Sequence, residues 1–201
     1  MTTTAFTAKD VSELRQRTGA GMMECKRALE ENKGNMEQAV EYLRKRGIAK
    51  AEKRVGKATS EGMVGSYIHH NGKLGVLVEV NCETDFVART DDFKNLVRSL
   101  AEHIAAAAPI SVDKDGVPQA KVDKERRIFE EQVRQSGKPE NLIAKIVDGK
   151  VEAYYKDVAL MHQAWVREPK KTIADVVKEA SAKLGEHIQV KRFVRFQLGE
   201  E

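Results

Sequence analysis

The sequence has few cysteines and no long hydrophobic run. Cys25 and Cys82 form no CxxC pair and no Cys/His cluster, which argues against a disulfide framework or a zinc site. No apolar segment approaches the roughly 20 residues that a membrane-spanning helix needs. The first residues, MTTTAFTAKD, have neither the basic start nor the apolar centre of a signal peptide. We therefore expect a cytoplasmic protein without a membrane partner.

The local motifs of common enzymes are also missing. The chain contains no GxxxxGK[ST], GxGxxG, HExxH or GxSxG pattern. His69 and His70 flank a predicted turn without an acid or cysteine at ligand spacing, which favours exposed polar residues over a metal site. A Ser/His/Asp or Cys/His set could still assemble from distant residues. We expect no enzyme, no cofactor and no metal.

Charge is plentiful but uneven along the chain. The 201 residues are 41% hydrophobic and 33% charged, enough for one core and a small extra domain. Residues 1 to 57 hold 13 Lys+Arg against 8 Asp+Glu, or +5, so the total of +4 leaves −1 for the remainder. The basic residues could contact phosphates or line a solvated helix face, and the absence of interleaved aromatics favours the second. They are Arg44, Lys45, Arg46, Lys50, Lys53, Arg54 and Lys57.

Start and stop signals predict three short helices in the first 47 residues. Thr7 begins the first helix as part of a capping box, and Asn35 caps the third, which we expect to stop at Gly47. The second runs from about Met22 to Glu31. The following segment, IAKAEKRVG, is a linker or an exposed helix extension. We predict a three-helix domain with a basic linker over residues 1–55, and an α+β core over residues 56–201.

After residue 62 the pattern changes to that of strands. MVGSYIHH and KLGVLVEV are joined by Asn71-Gly72, which predicts a hairpin with a type I′ turn and a buried second strand. Helices follow over Asp92–Ala108, 119–135 and 140–155, and a further one begins at Thr172. The helix over 119–135 has only a narrow apolar stripe. Such a helix either packs this narrow stripe against the rest of the core domain, or pairs with the following helix as a helical hairpin that projects into solvent.

The final predicted strand has the sequence HIQVKRFVRFQL. Its alternation places Phe193 on the polar face between Lys191 and Arg195, where an aromatic residue hints at a partner. We expect the other face to be buried, and its residues are Ile188, Val190, Val194, Phe196 and Leu198.

Two further segments are candidates for function. Met22 and Met23 are adjacent at a helix start and cannot share one helical face, so we expect one of them to be exposed. In NCETDFVA, Thr84 or Asp85 can cap a turn. Phe86 then either folds back on the core with Val87 or stands exposed beside an acid, and the sequence leaves both open.

The segments TGAGMMECKRALEENKGNMEQAVEYLRKRG and VEVNCETDFVAR closely resemble the elongation factor Ts family, the guanine-nucleotide exchange factors of elongation factor Tu. The similarity continues through SGKP at Ser136 to the closing FVRFQLGE, and so covers nearly the whole chain. The resemblance implies a ubiquitin-associated-like three-helix domain, a linker, and a core with an antiparallel sheet, helices and a helical hairpin. It also implies exchange without covalent chemistry.

By the same resemblance, the segment Thr84, Asp85, Phe86 and Val87 enters the GTPase near the magnesium and phosphates of its nucleotide. Arg17, Met22 and Met23 are implied to touch its nucleotide-binding domain. Compared with longer members of that family, we expect one sheet subdomain where they have two, and no C-terminal helical module. Short members pair two copies, so we expect a homodimer, with Phe193 and Arg195 as candidate contacts.

Two other functions remain as alternatives. An RNA-binding module would use the basic first quarter, and its binding would weaken steeply with salt. A peptide-binding adaptor would use the three-helix domain alone. We expect no direct nucleic-acid partner, because neither alternative explains the TDFV segment.

Overall fold

The computed structural model describes residues 6–200, so the outer limits predicted for the two domains, residues 1 and 201, lie outside the described residues. The fold is mixed α+β, as predicted. The helices are α1 (Ala8–Thr18), α2 (Met22–Glu31), α3 (Met36–Glu52), α4 (Asp85–Ala88), α5 (Asp91–Ala107), α6 (Gln119–Gln135), α7 (Glu140–Val158) and α8 (Ile173–Leu184). The strands are β1 (Glu61–Ile68), β2 (Leu74–Cys82), β3 (Ala164–Trp165), β4 (Glu168–Thr172) and β5 (Gln189–Gln197).

The chain folds into two compact units that are not continuous in sequence. The first contains residues 6–63, Val80–Leu96 and Val177–Gln189. The second contains Val64–Glu79, Val97–Val176 and residues 190–200. The first unit therefore combines the N-terminal helices with two later segments, whereas the predicted boundary falls at residue 55. That division into 1–55 and 56–201 stays a prediction.

In the first unit, α1 to α3 form the three-helix bundle that the sequence predicts. Thr7 and Asp10 form the expected capping box, and Asn35 caps α3 by accepting a hydrogen bond from Gln38 N at 3.0 Å. Its core is small and apolar, which suits helices of 10 to 17 residues. The buried core residues are Val11, Leu14, Cys25, Ala28, Leu29, Ala39 and Leu43.

Gly47 does not stop α3, which continues to Glu52, so this prediction was wrong. A Cβ at position 47 would lie 3.1 Å from the Cβ of Ala182 on α8. The glycine thus permits close approach of two helices within the first unit, a role that sequence alone does not separate from a helix stop. The predicted helix extension after residue 47 is confirmed as far as Glu52.

A three-stranded sheet has the order β1-β2-β5, so β2 is central. Val76, Val78 and Val80 are buried, but Leu77 is 47% exposed, so the prediction of a buried second strand holds for one of its faces only. The predicted hairpin joins β1 and β2, but its turn is not type I′. Such a turn needs positive φ at both central residues, and Asn71 is not among the described non-glycine residues with positive φ. Instead Gly72 alone takes φ +67°, and its N–H donates to His69 O at 2.8 Å.

Within the second unit, α5 lies against one face of this sheet. Gly65 on β1 allows a close approach, since a Cβ there would lie 2.3 Å from Val97 Cγ1 and 3.8 Å from Val78 Cγ1. Arg195 on β5 is on the same side, because its guanidinium donates to Ala105 O of α5. The odd-numbered residues from position 193 of β5 therefore face α5.

This orientation corrects the expectation for the last strand. Ile188 and Val190 are buried as predicted, but Val194, Phe196 and Leu198 are exposed to solvent. Phe193, predicted on the polar face, is half-buried on the α5 side with Arg195. The prediction assumed that the more apolar face must be the buried one, and here that face is left open.

The helices α6 and α7 form a hairpin with its own core, which confirms one of the two predicted arrangements for α6. Its buried residues are Val122, Val133, Ile143, Val147 and Val151, joined by Val117 and Ala159. The short strands β3 and β4, which the sequence did not predict, form an antiparallel pair in which Ala164 pairs with Thr172. The capping box of Thr172 and Asp175 at the start of α8 is present, as predicted.

Gly65→Ala should destabilise the protein by about 1 to 3 kcal/mol, because the new methyl would overlap Val97 in a packed interior. Urea denaturation of the two proteins measures the change. Adding Val97→Ala to Gly65→Ala should recover part of the loss, since it removes the overlapping group.

Gly149→Ala serves as the matched control. Gly149 is exposed in α7, and a Cβ there meets no atom within 4 Å. Alanine should raise stability by about 0.5 to 1 kcal/mol through helix propensity. Equal changes in the free energy of unfolding for Gly65→Ala and Gly149→Ala would contradict the close contact between β1 and α5.

Candidate functional site

The candidate site is a turn and a single helical turn at the end of β2. Thr84 is the N-cap of α4, with extended backbone, and its hydroxyl accepts a hydrogen bond from Val87 N at 3.4 Å. Phe86 is 79% exposed and Val87 is half-buried. The structure thus excludes the interpretation in which Phe86 folds back on the core. We call the segment Thr84, Asp85, Phe86 and Val87 the tip.

The Glu186 carboxylate, just after α8, holds the base of the tip. Its Oε2 accepts hydrogen bonds from the backbone N–H of Glu83 and of Thr84, each at 3.0 Å. Its Oε1 accepts from the Thr84 hydroxyl at 2.6 Å. Glu186 is buried, so these bonds are shielded from competition with water. All these residues belong to the first unit.

A second carboxylate, that of Glu83, is held by donors from two other segments of the chain. Arg54 donates to its two oxygens from Nε and Nη2, each at 2.8 Å, and His187 N donates to Oε1 at 2.7 Å. The Arg54 hydrogen bonds lower the pKa of Glu83 to about 2, with smaller contributions from His187 N and Lys57. Glu83 is therefore ionised at neutral pH, in the bidentate geometry that makes such pairs strong.

Within the tip, Asp85 and Phe86 differ in how they are held. Asp85 forms an ion pair with Arg89, one turn later, at 2.8 Å. Both side chains are substantially exposed, so this pair contributes little to stability and can be exchanged for a partner's groups. Thr90 closes the segment, donating to Val87 O at 2.8 Å and accepting from Phe93 N at the start of α5.

The other predicted partner-binding residues lie in the bundle. Met22 and Met23, at the start of α2, are 48% and 75% exposed, so both methionines face solvent rather than one. Arg17, near the end of α1, forms an ion pair with Glu37 at 2.8 Å. The loop 19–21 connects these two helix ends, which places the three residues at one end of the bundle.

Most of the basic run is engaged in ion pairs within the first unit. Arg44 pairs with Glu179 at 2.6 Å, and Lys50 pairs with Glu24. Lys45 pairs with Glu41 at 2.7 Å, while Arg54 and Lys57 share Glu83. These carboxylates reduce the positive field that a nucleic acid would meet, so the arrangement favours the solvated helix face over a phosphate-binding surface.

Other candidate chemistry finds no support in the structure. Within residues 6–200, no three His, Cys, Asp or Glu side chains are grouped as a metal site would require. Both cysteines are buried, and burial raises the pKa of the Cys82 thiol to about 11. His103 is buried against Gln163, with Nε2 and Oε1 3.0 Å apart, and burial lowers its pKa. Over the described range, no helix is long and apolar enough to cross a membrane.

The sequence predicts the tip but not the residues that hold it. Glu186 and Arg54 lie 102 and 30 positions from Thr84, and neither belongs to a recognisable motif. The predicted helix stop at Gly185 places Glu186 just after a helix, but nothing in the local sequence indicates that its carboxylate is buried.

The Glu83 pair predicts a pH dependence of stability. A carboxyl whose pKa falls from 4.5 to about 2 on folding stabilises the protein fully above pH 4.5 and loses this contribution as pH drops towards 2. The difference in unfolding free energy between wild type and Glu83→Gln should therefore shrink between pH 6 and pH 3, as measured by urea denaturation. A difference in unfolding free energy that stays constant over this pH range would contradict the lowered pKa of Glu83 in the folded protein.

Comparison with known proteins agrees with the resemblance. The sequence matches the profile of the family described as Elongation factor TS over residues 3–200. It is 54% identical over 195 residues to elongation factor Ts of Fervidobacterium nodosum, covering 97% of this chain and 99% of the relative. It is 50% identical over 197 residues to elongation factor Ts of Nitratidesulfovibrio vulgaris, covering 98% of each. The chain therefore belongs to the elongation factor Ts family of translation elongation factors.

Proposed function

We propose that this protein is the guanine-nucleotide exchange factor of elongation factor Tu in the cytoplasm. It binds the GDP-bound GTPase, promotes loss of magnesium and GDP, and stabilises the nucleotide-free state until GTP binds. The observation that carries the proposal is the exposed Phe86, held on a capped and anchored turn beside Asp85. A large apolar side chain fixed in solvent is suited to entering a partner.

The mechanism requires no covalent chemistry. A protein that binds the nucleotide-free GTPase more tightly than the nucleotide-bound form must weaken nucleotide binding by the same factor. Magnesium keeps strict octahedral geometry, so moving its ligands in the GTPase by about an ångström releases it and leaves the phosphate charge poorly compensated. Phe86 is the side chain that enters the GTPase and displaces these ligands. Arg17, Met22 and Met23 provide a separate binding surface on the bundle.

The magnitudes limit what Phe86 can do alone. A thousandfold faster release requires about 4 kcal/mol at 1.4 kcal/mol per decade, whereas burying one Phe side chain contributes about 1.5 to 3 kcal/mol. Further contacts, on the bundle and elsewhere, must therefore supply the difference and hold the tip in place.

Phe86→Ala should slow the stimulated release of labelled GDP from elongation factor Tu by about 10- to 100-fold. Much of its affinity for the nucleotide-free GTPase should remain. Stopped-flow fluorescence measures the release, and titration calorimetry with the nucleotide-free GTPase measures the binding. Val166→Ala, which removes another exposed apolar side chain, is the control and should leave release unchanged. An unchanged rate of GDP release with Phe86→Ala would refute the proposal that Phe86 displaces the magnesium ligands.

We also propose that two copies pair through the sheet. The face of the sheet away from α5, which we call the open sheet face, carries exposed apolar side chains on all three strands. Ile68 on β1 lies over β2, since its Cδ1 is 3.0 Å from the position of a Cβ on Gly75. Arg192 on β5 reaches Glu79 on β2 at 2.7 Å. The apolar residues are Val64, Ile68, Leu77, Val194, Phe196 and Leu198.

An apolar face of this kind favours an isologous contact, in which the same residues of both copies meet around a two-fold axis. The proposed contact therefore moves from Phe193 and Arg195 to the open sheet face. Phe193 is half-buried on the opposite side, and Arg195 forms an ion pair with Glu200 at 2.7 Å.

Phe196→Asp should convert a dimer into a monomer, because two carboxylates would be buried against an apolar surface. Light scattering should give twice the chain mass of 22.5 kDa for wild type and a single chain mass for the variant. Leu142→Asp, at an exposed apolar position on α7, is the control and should remain dimeric. A monomeric wild type at micromolar concentration would refute the pairing.

A further inference from the structure

We propose that Glu186 and Glu83 are positioning residues of exchange, which set the direction of Phe86 by fixing the base of the tip, with Arg54 anchoring Glu83. The inference rests on the proposed function, and extends it from the residues that enter the GTPase to those that aim them. Neither glutamate lies within the tip. Glu186 accepts hydrogen bonds from Glu83 N and from Thr84, and Glu83, the residue before the tip, is itself held by Arg54 and His187 N.

The tip cannot fix its own direction. The helix α4 has four residues, too few to be stable as an isolated helix. Phe86 is mostly in solvent and Asp85 is paired only with the exposed Arg89 of the same turn among the ion pairs of the described residues. The direction of the Phe86 side chain therefore depends on where Glu83 and Thr84 are held.

Glu186 holds them from one side with both carboxylate oxygens. It satisfies two successive backbone N–H groups and orients the Thr84 hydroxyl, which in turn accepts from Val87 N inside α4. This forms a continuous path of hydrogen bonds from Glu186 to the backbone next to Phe86. Removing the carboxylate would leave these half-buried donors without acceptors, so the turn would have to move for water to reach them.

Glu83 holds the same turn from the other side. Arg54 binds both of its oxygens, and His187, adjacent to Glu186, donates its backbone N–H to Oε1. The two glutamates thus tie the end of β2 to the segment after α8 and to the segment after α3. Each carboxylate has its own donors, so loss of one leaves the other in place.

The experiment compares Glu186→Ala, Glu186→Gln and Phe86→Ala, with release of labelled GDP from elongation factor Tu measured as a function of factor concentration. Glu186→Ala should lower the maximal release rate by about tenfold, and change the half-saturating concentration by less than about twofold. Glu186→Gln keeps an acceptor oxygen and should retain most of the rate. A purely structural role would instead reduce the folded fraction, which raises the half-saturating concentration and leaves the maximal rate unchanged.

A double variant tests whether Glu186 acts through Phe86. If it does, Glu186→Ala combined with Phe86→Ala should have the same maximal rate as Phe86→Ala alone. Effects that multiply would overturn the proposal. If Glu186→Ala does not fold, Arg54→Ala replaces it in the same comparison, because it removes the anchor of Glu83 at the base of the tip. Arg54→Ala should then also lower the maximal release rate, and should have no further effect in the Phe86→Ala background.

Hydrogen exchange of the Val87 and Ala88 amides, followed by NMR in the free protein, tests the positioning without any GTPase. These amides donate to the Thr84 hydroxyl and to Thr84 O, and should exchange at least tenfold faster in Glu186→Ala. Glu52→Ala breaks an ion pair with Lys178 elsewhere in the first unit and should leave them unchanged. Unchanged exchange in Glu186→Ala would overturn the positioning role, whereas a wild type that does not accelerate GDP release would refute the proposed function instead.

Discussion

The hydrogen bonds from Glu83 N, Thr84 N and the Thr84 hydroxyl to the buried Glu186 carboxylate are the constraint on which the site depends. Burying a Phe side chain contributes about 1.5 to 3 kcal/mol, so a free turn would tend to fold Phe86 against the nearest apolar surface. Fixed backbone at Thr84 prevents this, because α4 begins in a direction set by the cap. The exposed aromatic is thus a consequence of a buried carboxylate.

Ion pairs in the first unit differ in what they can do. Those on the bundle surface, such as Lys45 with Glu41, join exposed side chains and contribute little to stability. The pair of Arg54 with Glu83 is shielded, bidentate and shared with a backbone N–H. The Arg54 hydrogen bonds, with the His187 N–H, lower the pKa of Glu83 to about 2, although burial alone would raise it. Shielding, rather than the number of charges, decides which pairs hold the tip.

Much of the fold follows from local signals in the sequence. Thr7 with Asp10, and Thr172 with Asp175, cap their helices as their spacing predicts. The errors arise where a distant segment decides the outcome. Gly47 is used for close approach to Ala182, and the anchor of the tip lies about a hundred residues away in sequence, so no local pattern reveals either. Residues at the tip could be predicted, but the burial of Glu186 could not.

The energetics of the proposed nucleotide exchange connect the anchor of the tip with its exposed Phe86. A tip that moved freely would lose conformational entropy on entering the GTPase, at about 0.5 to 1.5 kcal/mol for each side chain that becomes ordered. That loss is comparable with the free energy gained by burying Phe86. Folding orders the base of the tip in advance, through Glu186 and the Arg54 pair with Glu83. The entropy is then lost when the protein folds, and more of the burial energy remains to weaken nucleotide binding.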